Sequence, residues 1–259
     1  MNLDSVVSRR YFLDIIGKGI GIGIFPNTII NALASQDIPE RQAEIESIVK
    51  AELGNEAEKY HAKFVYDHYG TALQSVEQER ETRVFGDTLN NRDWHAATVF
   101  DASDFGSNAR STIYFKPTAF ENNGLERGEW LRIVILHEFS HAKAAYESIK
   151  VGNLKVDNSN YQSINKKVLE FVLESTAWLD VLQALMFGSR DQRTIYRVQQ
   201  ELKSVHETGT EIDKVIDRQN KNPDEPKALS DFDISLYRTQ VRKNQQIAST
   251  FMYYSLSRH

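Results

Sequence analysis

The second half of the chain is patterned for helices. From about residue 128 onward apolar and charged positions alternate at helical spacing, predicting helices over 128–149, 163–188, 190–219 and 230–256. The polar, proline-bearing run Asn220-Lys221-Asn222-Pro223-Asp224-Glu225-Pro226 separates the last two. Residues 40–80 also read as helical, with Gly54 and Gly70 as the points that divide them. Between 82 and 126 the texture changes: Gly86, Asn90-Asn91, Asp101, Asp104, Gly106 and Asn122-Asn123-Gly124 are turn formers. Two strand-like runs lie among them, Ala96–Phe100 and 111–116, the second rich in β-branched and aromatic residues and stopped by Pro117. No repeat period is evident. The expectation is a mainly α (α+β) domain with a small β-sheet ahead of the helix over 128–149.

Composition narrows the chemistry. The 259 residues are enough for a full core without a staple. A net charge of −5 argues against nucleic acid or an anionic membrane as the main partner. The absence of cysteine removes thiol nucleophiles, disulfides and cysteine-based zinc sites together. Any metal must therefore be held by histidine and carboxylate.

Residues Ser8-Arg9-Arg10-Tyr11-Phe12-Leu13-Asp14 resemble the twin-arginine export motif, with Asp14 where that motif usually has lysine. A short, glycine-rich apolar run over 15–25 follows, then Pro26, then Ala32-Leu33-Ala34 as a small-x-small cleavage site. The run is too short to span a bilayer. The expectation is a signal peptide over 1–34, handled by the twin-arginine translocation machinery. The domain over 35–259 would then be periplasmic or secreted, with no stable membrane span in the mature form.

The residues that carry chemistry are His137-Glu138-Phe139-Ser140-His141. Side chains four apart on a helix share a face, so both imidazoles can reach one metal ion. Glu138 is one step round, beside the metal yet not needed as a ligand, which suits a general base. Val134, Ile135 and Leu136 precede the motif, and Phe139, Ala142, Ala144 and Ala145 occupy other faces. A helix apolar on several sides is interior, and buried histidines with a glutamate need a reason to be there.

Here the sequence resembles the zincin metallopeptidases over 134–142, while Lys143 departs from their pattern. The resemblance implies a helical zincin-like domain that holds Zn2+ through His137 and His141. Glu138 would be the catalytic base in cleaving a peptide or protein substrate. It also implies an edge strand before the helix, a place that 111–116 could take, where extended peptide would pair. The third zinc ligand lies elsewhere, since residue 144 is Ala and residue 147 is Glu where the extended histidine signature has Gly and His. Two carboxylates on the next helix, Glu170 and Glu174, sit in an otherwise apolar run. Glu174 opens a Glu-x-x-Ala pattern similar to gluzincin second helices and is the expected ligand; Glu170, one turn earlier, is the alternative.

Two other readings stand beside this one. Glu138-x-x-His141 and Glu58-x-x-His61 are each half of a di-iron carboxylate site of ferritin-like bundles. Alternatively the chain is a non-catalytic envelope binding protein. Tyr146, Tyr161 and His206 are available as oxyanion donors, with no spacing that selects among them.

Overall fold

A computed structural model describes residues 27–68, 95–100, 106, 108–121, 123–126, 128–157, 159–187, 192–224 and 226–256. The chain divides into two units, Met1–Arg41 and Gln42–His259. The twin-arginine motif lies outside the described residues. Ala32-Leu33-Ala34 lies in the first helix, α1, Asn27–Glu52.

After α1 the described elements are α2 (Glu56–Lys59), β1 (Ala62–Tyr66), β2 (Ala96–Phe100), β3 (Ser111–Phe115) and a 3-10 turn at Pro117–Phe120. Next come α3 (Glu129–Glu147), β4 (Ile149–Val151), β5 (Leu154–Val156), α4 (Lys166–Phe187), α5 (Gln192–Lys221) and α6 (Asp231–Leu256). The protein is mainly α with a small mixed sheet, as the pattern of apolar positions predicts. The four C-terminal helices fall within a few residues of their expected bounds.

Two expectations are corrected. Residues 62–66 are a strand and not part of a helix. Gly54 and His61 take left-handed φ of 54° and 50° and break the helical run. Beyond them Phe64 and Tyr66 are buried while Lys63 is exposed and Val65 half-buried, the period-two pattern of a strand. Second, the strand over 111–116 is not an edge. The sheet order is β1-β3-β2, with β1 parallel and β2 antiparallel to β3, so both sides of β3 are paired. The outer side of β1 is met by Gln42 of α1, whose side chain donates to the Phe64 carbonyl at 3.1 Å and accepts from the Tyr66 N–H at 2.9 Å. Among the described residues β2 is thus the sheet edge that no side chain is shown to cap.

α3 and α4 form the middle of the Gln42–His259 unit. α3 packs on β2 and β3 on one side and on α4 on another. α4 also meets α5 and α6. Val168, Phe171, Val172, Leu173, Ala177, Leu179, Val181, Leu182 and Leu185 are all buried, which marks a helix enclosed nearly all round. α5 approaches α4 at Gly209, where a Cβ would lie 2.9 Å from the Phe171 ring, and the Tyr237 hydroxyl donates to the Gly209 carbonyl at 2.8 Å. The start of α6 is fixed by a reciprocal cap: Ser230 N–H donates to Asp233 Oδ2 at 2.8 Å and Asp233 N–H to Ser230 Oγ at 3.0 Å. The other oxygen of Asp233 accepts from Asn165 N–H at 2.9 Å, which ties α6 to the residue before α4.

Candidate metal centre

α3 buries its motif. His137 is 6% exposed, Glu138 7% and His141 2%. The spacing of four residues brings the two Nε2 atoms to 3.1 Å of each other. Glu174 projects from α4 against them: its Oε2 is 3.3 Å from His137 Nε2 and its Oε1 3.2 Å from His141 Nε2. One donor atom from each of the three residues lies within 4.8 Å of the others. Ligand atoms about 2.0–2.1 Å from a tetrahedral ion are separated by about 3.3–3.4 Å, close to the spacings found. A His-His-Glu group of this shape can hold a metal ion. Glu174 keeps 26% of its side chain exposed against 8% and 2% for the histidines, so the cluster opens to solvent on the carboxylate side.

The electrostatics of the metal-free group are those of a tight ion pair. Burial presses the His141 imidazole toward the neutral form, but the Glu174 carboxylate outweighs it and the pKa stands above 6.5. Burial would raise the Glu174 carboxyl; His141 and His137 overcome it and hold Glu174 well below the usual carboxylate range. A metal cation therefore replaces a proton already attracted to the same place.

Glu138 is placed differently from the three converging residues. The Thr98 hydroxyl, fully buried on β2, lies 2.7 Å from Glu138 Oε2 and 2.9 Å from the Glu138 main-chain oxygen. One hydroxyl proton serves two acceptors, and the shorter distance is to the carboxylate. Thr98 thus joins the sheet edge to the glutamate of the motif and leaves Oε1 as the oxygen it does not engage.

Of the expected site residues, His137, His141 and Glu174 come together, with Glu138 next to them in the helix. Glu170 is not in the cluster. Glu58 and His61 are exposed in and after α2 and are not in it either. Tyr161 is buried in the core cluster of α4, α5 and α6; Tyr146 packs edge-on against Tyr60; and His206 is exposed on α5. Three further contacts frame the cluster and its helix. Besides Thr98, the Ser140 hydroxyl donates to Asp180 of α4 at 2.6 Å and sets α3 against α4. The Trp178 ring lies on the His137 imidazole with centroids 4.2 Å apart. Only Trp178 carried a usable signal, standing four residues after Glu174 on one helix face. No protein-family model, curated protein or solved structure matches this chain.

Proposed function

We propose that this chain is an exported, zinc-dependent metallohydrolase of the zincin type, a peptidase. The observation that carries the reading is the convergence of His137, His141 and Glu174 in a buried group beside Glu138. Two imidazoles and one carboxylate are a donor set of catalytic zinc. When bound, zinc supplies Lewis acidity, making a water molecule acidic near neutral pH and polarising a carbonyl. The chain supplies the rest. Glu138 takes the proton of the attacking water at Oε1 and returns it to the leaving nitrogen. Thr98 holds Oε2, so the carboxylate presents one oxygen in a fixed direction. The Arg9-Arg10 segment supports a location beyond the bacterial cytoplasmic membrane, reached through the twin-arginine machinery.

The test is metal content followed by one substitution. The purified protein should carry one zinc per chain without added metal. Glu138→Gln should keep that zinc and lose cleavage of a peptide library. Full cleavage by Glu138→Gln would reject the mechanism. Two irons per chain would move the case to the di-iron reading, and a metal-free protein whose melting temperature zinc does not raise would leave an envelope binding protein.

A further inference from the structure

A histidine that holds a metal through one ring nitrogen is usually oriented by a hydrogen bond from the other nitrogen to a carboxylate or carbonyl. His137 shows no such bond among the described residues: its Nδ1 is buried with no hydrogen-bond partner there. The imidazole is nevertheless enclosed on α3, with Nε2 directed at His141 and Glu174. What lies against it is an aromatic ring. The Trp178 ring is 4.2 Å from the His137 ring, centroid to centroid, and inclined at 42°. Trp178 is itself 8% exposed and stands one helical turn after Glu174 on α4. One face of α4 thus presents both the carboxylate that meets the cluster and the ring that packs on one of its histidines.

We infer that Trp178 is a positioning residue of the metal centre, fixing the plane of the His137 imidazole by ring contact where other sites use a hydrogen bond. The inference rests on the reading of His137, His141 and Glu174 as metal ligands. Two physical effects act together. Close packing leaves the imidazole no room to rotate away from the cluster, so little ring freedom is lost when an ion binds. The face of an indole is electron-rich, and an imidazole that donates to a cation gains positive character, so the contact strengthens in the loaded state.

The experiment is zinc affinity of the full-length protein, measured by competition with a chromophoric chelator. Trp178→Leu should bind zinc about tenfold more weakly, the lower end of what losing an orienting partner costs. Trp178→Phe, which keeps a ring, should recover most of that loss. Phe171→Leu is the control: it truncates a buried aromatic on the same helix, packed instead against Tyr237, and should leave zinc affinity within about twofold of wild type while lowering stability. Zinc affinity in Trp178→Leu equal to wild type, or no recovery in Trp178→Phe, would overturn the inference and leave the metal centre standing. A wild-type protein that binds no zinc would overturn the centre and the inference together.

Discussion

Replacing Thr98 with valine tests the contact between sheet edge and motif helix directly. The side chains have nearly the same shape, and the change exchanges a hydroxyl for a methyl at a fully buried position. What is lost is the 2.7 Å hydrogen bond to Glu138 Oε2. A bond to an ionised acceptor contributes about 1.5–3 kcal/mol, and a buried methyl returns about 0.8 kcal/mol, so the net loss is about 1–2 kcal/mol. For a domain of this size that lowers the melting temperature by about 2–8 °C. Urea and thermal unfolding of wild type, Thr98→Val and Thr98→Ser would measure it. Serine keeps the hydroxyl and gives up only a methyl, so its carboxylate contact survives. Zinc content should be the same in all three, because Thr98 is not one of the converging residues. Peptide cleavage should fall in the valine variant and be largely retained in the serine variant. A Thr98→Val protein as stable as wild type would refute the reasoning.

Two further outcomes follow from the geometry. Gly209→Ala gains helix propensity of about 1 kcal/mol but places a methyl 2.9 Å from Phe171 and 3.2 Å from the Tyr237 hydroxyl, an overpacking that costs about 1–3 kcal/mol, so it should destabilise overall, by up to about 2 kcal/mol in urea unfolding; a stabilised variant would contradict the close approach of α5 to α4. Zinc uptake should tighten as the solution is taken from about pH 6 to about pH 8, because the raised pKa of His141 makes a proton the competitor. In the metal-free protein the signs separate. The stabilisation from His141 is complete below about 6.5 and is lost as pH rises through the higher folded value. That from Glu174 is present above its unfolded value and is lost as pH falls through the depressed folded one. A zinc affinity independent of pH over that range would count against the ion-paired group.

The long helices were legible because their periodicity runs for many turns, and the histidine pair was legible because both residues sit on one of them. Glu174 and Glu170 both stood out in an apolar run, and the Glu-x-x-Ala pattern favoured Glu174, the one that meets the two histidines of α3. Residues 62–66 were misread because five residues after a charged helix give period two little room to show, and the strand forms through pairing with β3 far along the chain. The hairpin β4–β5 did carry a signal. Ile149-Lys150-Val151 and Leu154-Lys155-Val156 flank a two-residue loop whose Gly152 takes φ 60°. It was hidden by its position at the end of a strong helical pattern. Thr98 and Asp180 left no mark in the sequence, since nothing in the local spacing says which helix residue a buried hydroxyl or carboxylate will meet.

The converging residues come from two helices that are consecutive in the long α-rich run but separated by a hairpin and a 3-10 turn at Tyr161–Ser163. A metal ion held by His141 and Glu174 would close the chain between them into a ring, as a disulfide does. A cross-link around a loop of this length restricts the unfolded chain by an amount worth about 3–4 kcal/mol on the chain-entropy account. The same ion that equips the site for chemistry would therefore clamp the hairpin and the joint between α3 and α4. Stripping it with a chelator should expose that stretch first to proteolytic nicking, so metal loading becomes a checkpoint on the integrity of the fold as well as on activity.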